Sequence, residues 1–437
     1  MSFPTNEALN RIYGADADKA EERYRHLEKM FGESFPDAAD KESLRYFTAP
    51  GRTEIIGNHT DHNGGQILAA SITLDTVAAA VRTDDGLVRI ISEGYRKAIE
   101  VNTLELEKAT PENTAGSTAL VAGILTAAKE FGYKIGGLRA YVTSAVIPSA
   151  GVSSSASFEM LVCSMINAFF NSGEISIAQY ARMGQFAENR FWKKASGLMD
   201  QMACAVGGTI FLDFSDGVKY EPVDFAFGDL GCDMILVNTG KGHADLSEEY
   251  SSIPNEMRKA AGALSGILGG DGSGSHNLCE FPAETFYANL PAVRRAVNDD
   301  RAVLRAMHFY EECARVKATV AALEKGDKEA VLSAIEASGN SSWKWLQNTY
   351  VSGEHNEESV ALTLALTEKF LTEHVPEEGS AQVSRGVTRI HGGGFAGVIM
   401  CVVPHALTEA YVDFISPLVG RENVYAMNIR RVGAAEV

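Results

Sequence analysis

Near the start of the chain, apolar residues recur at helical spacing, Leu9 and Tyr13 and then Tyr24, Leu27 and Phe31, which predicts one amphipathic helix over 6–31. Strand-like runs follow at 45–48, 66–72, 76–82, 87–92 and 138–145, the last preceded by Gly136-Gly137. Two further stretches, 154–170 and 177–191, are apolar on one face and predict helices, and 209–214 and 234–238 read as buried strands. Beyond Leu246 the pattern is mostly helical, interrupted by the glycine-rich stretch 266–274, and the chain closes with a strand at 395–403, a helix at 407–418 and a strand at 424–429. Strands interleaved with long helices predict mixed α and β layers, and no internal repeat stands out.

At 437 residues the chain exceeds what one hydrophobic core usually serves. Two domains are expected, 1–215 and 216–437, divided at the turn residues Ser215-Asp216-Gly217. The balance of 39 Lys and Arg against 57 Asp and Glu, net −18, gives a surface that repels nucleic-acid backbones and anionic lipid. With no apolar run long enough to span a bilayer, neither nucleic acid nor membrane is an expected partner. The six cysteines form no C-x-x-C pair and no zinc-spaced cluster, so they read as reduced structural thiols. The first residues lack a basic region followed by an apolar one, and a cytoplasmic location is the expectation.

Three segments carry chemistry. The first, Pro50 to Gly65, packs Arg52, Glu54, Asn58, His59, Asp61, His62 and Asn63 between glycines. Such a density of donors and acceptors suits a polyhydroxylated ligand, and equally a solvated turn whose side chains satisfy the local backbone. The second, Ser149-Ala150-Gly151-Val152-Ser153-Ser154-Ser155-Ala156, leaves a strand and enters a helix. Its unpaired N–H groups and hydroxyls suit a polyphosphate, although an ordinary serine-capped helix uses the same residues. No Walker lysine follows. The third, His391-Gly392-Gly393-Gly394-Phe395-Ala396-Gly397, allows close approach of backbone to ligand, as any tight turn before a strand does.

In this order and at these separations the three segments resemble the motifs of the GHMP kinases, and within them the galactokinases: GRTEIIGNHTDH at 51–62, GVSSSA at 151–156 and GGGFAG at 392–397. A fourth stretch, Ser196-Gly197-Leu198-Met199-Asp200-Gln201, is similar to the segment that supplies the galactokinase catalytic aspartate, and His243 to Tyr250 to the segment whose tyrosine lies near the sugar. The resemblance implies an α+β GHMP kinase fold, with an N-terminal domain like ribosomal protein S5 domain 2, a ferredoxin-like C-terminal domain, and the active site between them. It implies an ATP-dependent sugar kinase using Mg2+ and acting on the anomeric hydroxyl of galactose. Small-molecule sugar and ATP are then the partners, and a monomer or weak homo-oligomer is expected.

By motif position, Asp200 and Arg52 would be catalytic, and Asn58, His59, Asp61, Gly197 and Tyr250 would bind the sugar. Gly151, Ser153, Ser154, Ser155, Ala156, Gly393 and Gly394 would bind ATP, and Ser155 and Glu188 would hold the metal. The chain departs from the pattern at Asn58, where galactokinases usually carry a glutamate that reaches the sugar 6-hydroxyl, and at His62, where they carry tyrosine. Thr53-Glu54, Ser149, His391 and Ala396 are further departures. An N-acetylgalactosamine kinase and a non-catalytic galactose- and ATP-binding regulator are the competing readings; sensors of the latter kind lack a Ser-Ala pair that Ser155-Ala156 retains here.

Overall fold

The computed structural model describes residues 3–38, 43–148, 151–193, 196–240, 246–270, 275–351, 353, 356–374, 385–395 and 397–437. Ser149, Ala150, Ala396 and the start of the stretch before Tyr250 therefore lie outside the described residues. Among those described, the strands are β1 (Arg45–Ile56), β2 (Gln66–Thr83), β3 (Leu87–Ser92), β4 (Ile99–Asn102), β5 (Gly137–Ser144), β6 (Thr209–Asp213), β7 (Lys219–Val223), β8 (Cys232–Asn238), β9 (Val387–His391), β10 (Val398–Pro404), β11 (Val424–Met427) and β12 (Ala435–Glu436). The first sheet runs β12-β1-β2-β5-β3-β4, with the β6-β7 hairpin attached to β2; only β3 and β5 pair in parallel. The second sheet runs β11-β8-β10-β9 and is antiparallel throughout.

Strand β2 is continuous where the sequence pattern suggests two strands. Its first part pairs with β6 and its second with β5, and the polar residue between them, Asp75, is buried. The carboxylate accepts from Arg23 Nη1 at 2.6 Å, Arg430 Nη1 at 2.6 Å, Tyr13 Oη at 2.7 Å and Thr48 Oγ1 at 2.7 Å, so its charge is fully met inside the protein.

Two other expectations shift. The first helix is two, Asn6–Tyr13 and Ala17–Ser34, because Gly14 ends the first at positive φ. The turn at Ser215-Gly217 joins β6 to β7 within the first sheet, so a division at 215 cuts a hairpin. Measured by sheets, the second unit begins near β8, and β12 returns to pair with β1 in the first.

Helices Gly116–Glu130, Ser154–Phe170 and Ile177–Phe186 bury their apolar faces against one side of the first sheet, and the N-terminal helices cover the other. The two sheets share a core in which Ile55, Ile56, Leu68 and Ile72 meet Met234, Leu236, Met400 and Val402. That shared core fixes the relative position of β1 and β10, whose adjoining loops carry two of the chemical segments. Among the described residues no helix is long and apolar enough to cross a membrane.

Candidate functional site

Arg52 projects from β1 at an interruption of its pairing with β2, and its backbone N–H bonds Val152 O at 3.1 Å, which ties the strand to the serine-rich turn. Its guanidinium meets Asp200 in a two-pronged pair, Nε to Oδ1 at 2.7 Å and Nη2 to Oδ2 at 2.8 Å, while Nη1 donates to Gly151 O. Arg52 is 7% exposed, whereas the Asp200 side chain keeps 26% of its surface open. Burial disfavours the Arg52 charge, but the Asp200 carboxylate outweighs it and holds the guanidinium charged. The aspartate is thus held by the arginine while about a quarter of its side-chain surface stays open.

The serine turn is not a side-chain-capped helix. Ser153 stands at φ 57 before the helix Ser154–Phe170; its hydroxyl donates to Asp200 and accepts no cap bond from the N–H groups of the helix N-terminus. The N–H groups of the first turn keep their capacity for an anion. Ser154 and Ser155 line the adjoining cavity, while the Ala156 side chain is buried in the core and leaves only its backbone for a ligand.

Ser155 Oγ donates to Glu188 Oε1 at 3.0 Å, and Gln201 Nε2 reaches Glu188 Oε2 at 3.3 Å. Glu188 sits on a π-helical turn, Ala187–Phe191, that continues the helix Ile177–Phe186, and it is 2% exposed. A hydroxyl and a carboxylate side by side are hard oxygen donors that suit Mg2+. Among the described residues no set of three or more His, Cys, Asp or Glu could hold a metal by itself.

The loop after β1 is built against the helix Asp300–Glu324. Glu312 accepts from Gly57 N at 3.0 Å and Asn58 N at 3.3 Å, and His308 Nε2 contacts Asn58 O at 2.9 Å. Burial would raise the Glu312 carboxyl, but His308, then Arg315, Arg389 and the Ser338 hydroxyl take it down to about 2. His59 stands at φ 59 with Nε2 on Gly393 O at 2.9 Å, and burial, with the neighbouring His62, pushes its imidazole down to about 3. Asp61 lies so close to Gly197 that a Cβ there would come within 2.1 Å of Oδ2, so only glycine admits the carboxylate.

The third motif closes over this loop. Gly393 O accepts from His59 Nε2 and from Asn348 Nδ2, Gly394 O accepts from Tyr250 Oη at 3.0 Å, and the Tyr250 ring meets Phe395 edge-on. Gly393 and Gly394, expected at the nucleotide, are therefore engaged with the expected sugar loop, and it is His391 and Gly392 that meet Gly151. Asn58 is a clearer departure. Its Nδ2 donates to Glu54 and to Gly392 O at 2.8 Å, and its Oδ1 accepts from Asn348 Nδ2 at 2.8 Å, so its amide faces inward and serves the loop rather than a ligand.

Beside Ser154 and Ser155 opens a cavity of about 660 Å³ whose walls include Tyr95, Ile99, Thr118, Leu120, Phe158 and Trp192. Tyr95 and Trp192 are exposed aromatics, which gives the cavity flat apolar surface next to the phosphate-suited turn. Of its walls the sequence motifs single out Ser154 and Ser155 but not Tyr95 or Trp192, because a lone Tyr or Trp carries no spacing signal. Glu54, Glu312, Asn348 and Arg389 were likewise not assigned roles, although Glu54 stood out as a departure from the motif.

A phosphate-suited helix start, an arginine-held aspartate and a glycine turn are brought together here, and the matches to known proteins make the chain a GHMP kinase. The model for the GHMP kinases N-terminal domain matches residues 119–208 and that for the galactokinase galactose-binding signature matches residues 29–82. A galactokinase of Streptomyces coelicolor is 32% identical over 71% of this chain and 77% of its own length, and one of Lactococcus lactis subsp. lactis is 30% identical over 88% of each. The crystal structure of the Lactococcus lactis galactokinase complexed with galactose superposes with a TM-score of 0.76 at 26% identity, covering 94% of this chain and 99% of that one. Methanococcus jannaschii mevalonate kinase, at 14% identity and a TM-score of 0.59 over 90% of this chain and 99% of its own, shares the fold. The chain belongs to the galactokinase family.

Proposed function

We propose that the protein transfers the γ-phosphoryl group of ATP to the anomeric hydroxyl of α-D-galactose, yielding galactose 1-phosphate and ADP. The observation that carries this reading is the Arg52–Asp200 pair, set where the serine turn, the loop after β1 and the third motif converge. Phosphoryl transfer passes through a loose transition state, so positioning and charge stabilisation supply most of the catalysis. Asp200, clamped by Arg52 and Ser153, is oriented to accept the hydrogen of the anomeric hydroxyl and align its oxygen for in-line attack. An ordinary aspartate is a weak base near pKa 4, and a loose transition state needs the proton only late. Arg52 also offers positive charge to the transferring group.

The polyphosphate lies along the first turn of the helix Ser154–Phe170, with the adenine in the cavity beside Tyr95 and Trp192. Ser155 and Glu188 would hold Mg2+, which when bound neutralises charge on the phosphate oxygens. His59, Asp61, Gly197 and Tyr250 surround the sugar. The test is ADP release in the presence of ATP and galactose, N-acetylgalactosamine or 6-deoxygalactose: turnover with galactose supports the reading, and turnover with N-acetylgalactosamine alone, or with none, overturns it.

A further inference from the structure

His391 ends β9, one residue before the glycine turn, and is 2% exposed. Its Nε2 lies 2.9 Å from Thr53 Oγ1 on β1. The Thr53 hydroxyl can donate to this nitrogen or to Met400 Sδ at 3.9 Å, and we assign its hydrogen to Nε2, the nearer and stronger acceptor. An imidazole that accepts at Nε2 carries its proton on Nδ1. Among the described residues Nδ1 has no hydrogen-bond partner. It points at Gly151: a Cβ on that glycine, whose φ is 67, would sit 3.1 Å from Nδ1. The space in front of the donor is thus the space the serine turn leaves by having no side chain there, next to the carbonyl that Arg52 Nη1 engages.

A buried N–H with no partner costs free energy, and an oriented one facing a phosphate-suited turn is answered by an anionic oxygen. We propose that His391 Nδ1 donates a hydrogen bond to the terminal phosphoryl group of bound ATP, which makes this imidazole a further positioning residue for the transferred group. Burial, with Arg52 and Arg389 nearby, holds the ring well below its usual range, so it stays a neutral, single donor. The proposal rests on the nucleotide lying along the serine turn.

The test separates the two ring nitrogens. Gln preserves a group at the Nε2 position and so the tie to Thr53, whereas Asn preserves a donor near Nδ1. With ATP and ADP titrated calorimetrically, His391→Gln is expected to weaken ATP about tenfold or more while ADP stays within about twofold, and His391→Asn to stay within about threefold for both. A purely architectural role gives the reverse order. In the unsubstituted protein labelled with 15N-histidine, a non-hydrolysable ATP analogue should shift one buried Nδ1–H resonance that ADP leaves in place. Equal losses of ATP and ADP, an unaffected Gln variant, or no such resonance would overturn the proposal. If Ser155→Ala leaves the affinity for both nucleotides unchanged, the nucleotide assignment itself fails, and this proposal with it.

Discussion

Asn58 Nδ2 donates to both oxygens of the Glu54 carboxylate, at 3.1 and 3.3 Å, and Glu54 is in turn paired with Arg389 Nη2 at 2.7 Å. The two side chains form a buried unit, four residues apart along the chain, that joins the loop after β1 to the strand before the glycine turn. The amide that motif position assigns to the sugar is spent on holding two chemical segments together.

Sugar selectivity follows from this. A site built to bond a hydroxyl rejects the analogue without it by several orders of magnitude, whereas a site without that partner discriminates weakly. With Asn58 committed internally, kcat/KM for 6-deoxygalactose is expected within about tenfold of that for galactose. A ratio of about a thousand or more would show that some other group reads C6. Asn58→Glu should not restore discrimination, since it sets a second carboxylate against Glu54 in a buried site.

The catalytic pair should respond asymmetrically. Asp200→Ala is expected to lower kcat about a thousandfold or more, because a group that positions the nucleophile is lost, and also to lower the melting temperature, because the buried Arg52 guanidinium loses its counter-charge; kcat is therefore read on the folded protein. Arg52→Lys keeps the charge but cannot reproduce the two-pronged geometry, and a loss of about a hundredfold in kcat is expected. Substantial turnover by Asp200→Ala in a quenched-flow or coupled assay would remove the aspartate from the mechanism.

Asp75 makes a stability prediction remote from the cleft. Asp75→Asn leaves the guanidiniums of Arg23 and Arg430 without their shared carboxylate, and a loss of about 3 kcal/mol is expected. Urea unfolding should show a lower midpoint with an unchanged slope, while the KM values of the folded fraction hold. A shift worth less than about 1 kcal/mol would mean the cluster contributes little.

Acid should destabilise the fold before it titrates the carboxylates. Burial holds His59, His308 and His391 below the usual imidazole range, His59 at about 3, so each is neutral when folded and free to take a proton when unfolded. For a group whose folded pKa is depressed, the stabilising contribution is complete above the unfolded value near 6.5 and fades as pH falls below it. By pH 5 the loss is about 2 kcal/mol for His59 alone. Denaturant midpoints at pH 8, 6.5 and 5 test this; a flat profile would contradict neutral burial of the three rings.

Much of the site was legible in the sequence because its parts are local. The helix Ser154–Phe170 was readable to its ends, since a small-residue turn meets an apolar periodicity there, and the strand Leu87–Ser92 likewise. Asp200, Arg52, Ser155 and Glu188 carry motif spacing, and the fold brings them into two hydrogen-bonded pairs. What escaped the sequence is satisfied from afar. Asp75 reads as punctuation between two strands until Arg430, 355 residues on, supplies its counter-charge. Asn58 reads as a ligand residue until Asn348, 290 positions away, takes its oxygen. The Ser215-Gly217 turn reads as a boundary because a hairpin and a linker use the same residues.

Strand β12 has one more consequence. Phe47 pairs with Glu436, and Arg45 forms an ion pair with the same residue, so the rim of the strand bearing Arg52 is sealed by chain made 391 positions later. A polypeptide still being synthesised cannot mature its first half and then its second: the strand bearing Arg52 waits with an open edge until β12 has left the ribosome. Nascent chains arrested at residue 420 should accordingly be cut by protease around Arg45–Ile56, and release of the full-length chain should abolish that cleavage.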